Sequence, residues 1–388
     1  MRVRRIAGVF SVLLLVFAAA GCGHVRSGRG HRAGTVIQAS AQASATLPEG
    51  YGPIMSLAGD PGGSGVWFWD STTSDVSVFH VAGQGTLASW PVLSGAAYQS
   101  QVISGFAVTS AGVACLGINS TLLRLDSNSG AVQTWKIPAP ADNPAAESYL
   151  PANLKGQHLV QGIAVAPDGG QVAIAMSHSS SVELFDQNAG TFTQVAMPAS
   201  SDGPVSVAYA PDGSLGIGMA NYKTHLQNTA LIIGQEGAGS PTVVPVADSS
   251  SISSYGTTGF ILGADLPDMV STAGAATPIV LPSVPFNPPQ SGPAISVMPN
   301  GNLAAIARSA VVEFPSNASS TASATAASVT LALPTQTCKP DVVDDDSPQP
   351  APSGQCPTDA NAMTVDNEGG VWVVPATGSD TDVERIST

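Results

Sequence analysis

Residues 161–198 read QGIAVAPDGGQVAIAMSHSSSVELFDQNAGTFTQVAMP. A short apolar run, Gly162 to Ala166, meets a Pro-Asp-Gly-Gly turn at Pro167 to Gly170. A second run, Gln171 to Met176, leads into a Ser-rich turn. A third, Ser181 to Asp186, ends at a Gln-Asn-Ala-Gly turn, and a fourth reaches Pro198. Runs of this length joined by turns of this chemistry make a four-stranded antiparallel sheet. The first run carries small and apolar residues at alternate and intervening positions alike, as a strand buried on both faces requires. A sheet of that kind has to stack on copies of itself.

The copies recur along the chain. They fall near 52–91, 104–138, 161–198, 204–246, 253–282, 292–334 and 359–388. The spacing between corresponding turns is mostly about 40 to 50 residues, the period of propeller blades. Two longer gaps hold insertions, NPAAESYLPANLKGQ and a cysteine-bounded loop, TCKPDVVDDDSPQPAPSGQC. The last repeat stops one strand short. Residues 34–48, GTVIQASAQASATLP, end in the Leu-Pro that also closes the fifth and sixth repeats. They are expected to supply the outer strand of the last blade, which removes an open sheet edge; the other reading of this Ser/Ala-rich stretch is a linker. The expected fold is all-β, a seven-bladed β-propeller of four-stranded antiparallel blades closed by an N-terminal strand.

The third repeat, APDGGQVAIAMSHSSSVELFDQNAG, resembles the YVTN-type repeat of exported prokaryotic propellers. The first and last, with GVWFWD and GVWVV, are similar to repeats of streptogramin lyase and its NHL-like relatives. The resemblance spans most of residues 50–388 and implies a seven-bladed propeller. It says little of function, because propellers host many.

Ahead of the repeats stands MRVRRIAGVFSVLLLVFAAAGCG. Three arginines and an apolar run of signal-peptide length end at small residues, the pattern of an export signal over 1–21. Ala19-Ala20-Gly21-Cys22 resembles a lipobox, which implies a diacylglyceryl anchor at Cys22 and a lipidated flexible tether over 22–33. Residues 34–388 then form a single propeller domain on the outer side of a bacterial cell membrane. The alternative is an ordinary signal peptide with Cys22 incidental. Six of the 13 Lys and Arg lie in the first 33 residues, leaving 7 against 27 acidic residues, a net of −20. A body this acidic repels phosphate backbones, so nucleic acid is not an expected partner.

Chemistry is sparse. The inner runs, MSLA, FAVT, IAVA, VSVA, YGTTG, AISV and AMTV, carry no His, Asp, Glu, Lys or Arg. Acid–base catalysis needs a titratable group within reach of substrate, so no catalytic residue and no cofactor are expected. His80, His158, His178 and His225 read as packing or surface residues. Asp70 follows a Trp-Phe-Trp run near where the lyases are implied to carry an acid, but Val374 and Pro375 stand there in the last repeat. Asp341, Asp344, Asp345 and Asp346 are weak candidates for calcium, against a plain solvated acidic run, because they lack alternating ligand spacing. Cys338 and Cys356 are expected to pair, closing a loop worth about 3 kcal/mol. Cys115, in GVACLGI, reads as a buried small hydrophobe. Trp69 and Trp90 read mainly as packing between blades, with contact to a sugar or peptide as the second reading. The expected role is a binding or scaffold propeller for a protein or glycan; the alternative is a metal-dependent, streptogramin-lyase-like enzyme at one mouth of the channel.

Overall fold

A computed structural model describes residues 35–387 with short breaks, the longest at 96–102, 283–294 and 338–354. Cys22, Cys338, His225 and Asp341, Asp344, Asp345 and Asp346 lie outside the described residues.

The described strands form seven blade sheets, antiparallel apart from one added N-terminal strand, and a separate two-stranded ladder. Their inner strands are Leu57–Gly59, Ile103–Val108, Val160–Val165, Asp202–Tyr209, Ile252–Tyr255, Ile295–Val297 and Ala360–Val365. Each inner strand touches the next, and the last touches the first, so the ring is closed. The fifth repeat, the least regular in sequence, still makes all four strands between Ile252 and Pro278. In the fourth blade the inner strand starts earlier than the apolar run suggests, at Asp202. A carboxylate therefore does enter an inner strand, where its Oδ1 accepts a hydrogen bond from Asn221 Nδ2.

Seven apolar clusters lie between successive blades, one per interface. The period of two explains them. In the strand Gln171–Met176, Val172, Ile174 and Met176 pack toward blade 2, while Ala173 and Ala175 face blade 4. Blade 4 fills the space above those alanines with Leu215, Ile217 and Met219. Its own far face is Gly216 and Gly218, where a Cβ at Gly216 would lie 2.6 Å from Ile252 and 2.9 Å from Phe260 of blade 5. Bulk on one blade meets small residues on the neighbour, so truncating a buried Leu or Ile here costs about 2–5 kcal/mol.

The N-terminal segment does more than was expected of it. We label Thr35–Gln38 β1 and Ser40–Thr46 β2. β2 pairs antiparallel with Asp382–Ser387 and completes blade 7 as its outer strand. β1 instead adds in parallel to Val329–Ala332, making a fifth strand on blade 6. The seam is thus held across two blades. Ala43 and Leu47 enter the core between blades 7 and 1, and Thr46 Oγ1 donates to Asp382 at 2.6 Å. In the cysteine-bounded loop, Thr335–Thr337 and Gln355–Pro357 form a small antiparallel ladder that sets Gln336 opposite Cys356.

Candidate functional site

Successive turns of an antiparallel sheet fall at opposite ends. The first turn of each blade and the third turns of blades 1 to 6 therefore share one face of the ring, the turn face. The second turns and the blade-to-blade connections share the other, the loop face.

The turn face is acidic for a local reason. Asp60 and Asp366 start the first turns of blades 1 and 7, Asp168 and Asp212 lie inside those of blades 3 and 4, and Asp126 and Asp186 start the third turns of blades 2 and 3. Each accepts through Oδ1 from the backbone N–H two residues on, at 2.8 to 3.0 Å. Asp is favoured at such turns because its side chain caps its own backbone. Repeating the turn around the ring repeats the charge.

Three of these carboxylates meet in a groove of about 560 Å³ between blades 3 and 4, lined by Asp168, Asp186, Asp212, Gln171, Asn188 and Tyr209 among others. Within the described residues each of the three is hydrogen-bonded through Oδ1 alone. Tyr209 OH donates to Gln171 Oε1 at 2.7 Å. Burial first, and then the neighbouring Asp168 charge, push the Tyr209 hydroxyl up, so it stays protonated and a donor. The groove combines negative charge with fixed polar edges, a lining complementary to Lys or Arg side chains.

Blade 1 carries a second polar cluster on this face. His80 Nε2 lies 3.0 Å from Asp60 Oδ2, and the His80 ring stacks on Trp67 with centroids 4.3 Å apart. Trp90 stacks on Trp67 at 5.6 Å, so one of its ring faces is taken. Trp69 is half-buried against the same core. The His80 hydrogen bond, outweighing burial, holds the Asp60 carboxyl below the usual carboxylate range, with Gly62 N–H adding to it and the Trp67 indole contributing least. Asp70 is buried, and its Oδ1 accepts from Ser71 N–H at 2.5 Å.

The remaining described histidines sit on the loop face. His158 binds Ser177 O and Asp142 Oδ1, each at 2.9 Å, so both ring nitrogens are engaged. His178 Nδ1 lies 3.4 Å from Gln157 O. Among the described residues no three His, Cys, Asp or Glu side chains gather closely enough to hold a metal ion. Cys115 is fully buried, and desolvation pushes its thiol up to about 12 despite the opposing Arg124 charge.

The individual turns of the groove were visible in the sequence, but not that blades 3 and 4 set three of their aspartates around one opening. The Asp60–Trp67–His80 cluster left a faint signal, an Asp seven residues ahead of the Trp in blade 1 and six ahead in blade 7.

No protein-family profile and no curated protein matches the chain. Solved structures do. A chain of Kuenenia stuttgartiensis hydrazine synthase is similar at 13% identity and a TM-score of 0.57, over 88% of this chain and 97% of that one. The structure of U3-55K is similar at 11% identity and a TM-score of 0.57, over 90% and 98%. At these identities the likeness shows the propeller fold alone.

Proposed function

We propose that this protein is a binding propeller of the bacterial cell envelope, held to the membrane by a diacylglyceryl group on Cys22, which takes a cationic protein segment on its turn face. The observation carrying this reading is the groove between blades 3 and 4, where Asp168, Asp186 and Asp212 leave one carboxylate oxygen each for an incoming donor. A protein partner is favoured over a glycan. Sugar binding uses open aromatic faces, and here Trp90 stacks on Trp67 while Trp69 packs into the blade interface.

The test is titration of labelled Lys/Arg-rich and Glu-rich peptides against the purified protein at low and high salt. The basic peptides bind, salt weakens them, and the triple variant Asp168→Asn/Asp186→Asn/Asp212→Asn binds at least about tenfold more weakly, a difference of about 1.4 kcal/mol. Equal binding by the triple variant refutes the groove. The anchor is tested separately, by labelled fatty-acid incorporation and membrane fractionation of the Cys22→Ser variant, which loses both if the anchor is real.

A further inference from the structure

The connection between blades 2 and 3 forms a strap over the loop face. Ser180 N donates to Ala141 O and Asn143 N to His178 O, both at 3.1 Å. Asn143 Nδ2 reaches the next blade and donates to Asp202 O at 2.8 Å, where the inner strand of blade 4 begins. A helical turn, Pro144–Glu147, packs against that same inner strand. The strap therefore crosses from blade 3 to blade 4 at the end of the ring where their inner strands start.

One buried side chain ties the strap down. The His158 side chain is 6% exposed, with Nδ1 at 2.9 Å from Ser177 O and Nε2 at 2.9 Å from Asp142 Oδ1 on the strap. A carbonyl and a carboxylate both only accept hydrogen bonds. The two contacts are made together by a ring that carries hydrogen on both nitrogens, which is the imidazolium form.

A second buried group points the same way. Glu183 is 0% exposed on the third strand of blade 3; Oε1 accepts from Ser181 Oγ at 3.2 Å, and Oε2 has no partner among the described residues. Burial pushes its carboxyl up, opposed first by the Ser181 hydrogen bond and then by the nearby Gln194 side chain and the charge of His158. The titratable groups around the ring are thus Asp142 on the strap, Glu183 beneath it and His178 at the adjoining turn, with Asp202 beyond Asn143 in blade 4. Blade 2 meets this region through Asn119 O, which accepts from Val160 N–H.

We propose that His158 is a proton-operated latch on this strap, closed while both ring nitrogens carry hydrogen and opened when Nε2 gives its proton to solvent. Only that N–H bond changes. The ring keeps its place, because Nδ1–H still donates to Ser177 O. The Nε2 lone pair then faces the Asp142 carboxylate, and Asp142, 60% exposed, turns to water. Since the closed form holds the extra proton, the latch is made on the acid side and lost as pH rises.

Hydrogen exchange at the Asn143 and Ser180 amides of the intact protein tests this, with each rate divided by its intrinsic value at that pH. Protection falls about tenfold as pH is raised and Nε2 gives up its proton. His158→Gln and Asp142→Asn each remove the pH dependence; the second alters an exposed side chain and leaves the fold intact. Constant protection in the unaltered protein, or a dependence that persists in Asp142→Asn, overturns the latch.

Discussion

Blades 1 and 7 contain the same local device with different basic side chains. In blade 7, Asp366 opens the first turn, Gly370 precedes Val371-Trp372, and Arg385 stands opposite Trp372 on the next strand. In blade 1 the corresponding residues are Asp60, Gly65, Val66-Trp67 and His80. Even the turns agree, with Asp366 N donating to Gly370 O and Asp60 N to Gly65 O, both at 2.9 Å. Both glycines are needed because the basic side chain passes over them: a Cβ would lie 2.2 Å from Arg385 Nε at Gly370 and 2.5 Å from His80 Nε2 at Gly65. The outcomes differ. Asp366, with a fully buried side chain, accepts from Glu368 N, Gly370 N, Trp372 Nε1 and Arg385 Nε at 2.7 to 3.0 Å. Asp60 and His80 have side chains 18% and 21% exposed, and Trp67 Nε1 only approaches the Asp60 carboxylate without a hydrogen bond of ordinary geometry. One motif yields a saturated buried ion pair at the seam of the ring and a solvent-touching, titratable pair one blade away.

The sharpest way to break this comparison is Asp366→Ala. It removes an acceptor for four donors and leaves Arg385 without its buried counter-charge, so a loss of about 3–5 kcal/mol is expected in denaturant unfolding. A loss no larger than that of Asp60→Ala would show that the two sites are equivalent after all. Next in size is the tryptophan pair. Trp372→Phe removes one of the two donors to Asp366 Oδ2, leaving only Arg385 Nε, and costs about 1 kcal/mol more than Trp67→Phe, whose indole N–H makes no hydrogen bond of ordinary geometry.

The smallest effect is a pH dependence at blade 1. Asp60 has its carboxyl lowered in the folded state, first by His80. A lowered carboxyl contributes stability above its unfolded value of 3.8, and that contribution fades as pH falls through the still lower folded value. Asp60→Asn is therefore less stable than the parent at pH 7 and indistinguishable from it once the medium is acid enough to protonate both forms. Melting temperatures of the two proteins across the acid range check this; a gap that persists at the acid end contradicts it.

Much of the ring was legible in the residues. QVAIAM and SLGIGM show strands with two buried faces, and such strands stack only on their own kind. The Leu-Pro ending of residues 34–48 marked an outer strand, which β2 proves to be. The parallel pairing of β1 with blade 6 had no comparable mark, because TVIQ is a strand sequence that fits several edges and its partner lies nearly 300 residues away. The candidate site divides in the same manner. Each Asp-Gly turn is a local choice of backbone and could be read singly. The groove they share exists because blades 3 and 4 stand side by side.

What the sequence alone determined is therefore whatever depends on neighbours along the chain: strand, turn, the repeat length and the acidity of the body. The tertiary structure decided which of those charges meet, which are buried and which histidine is doubly bound. His80 and His158 are both ordinary strand or loop residues by local pattern. Their contrast comes from Asp60 and Asp142, brought to them by pairing and by the strap. Propensity and periodicity act over a few residues, whereas burial and electrostatics act between surfaces that become adjacent only when the ring closes.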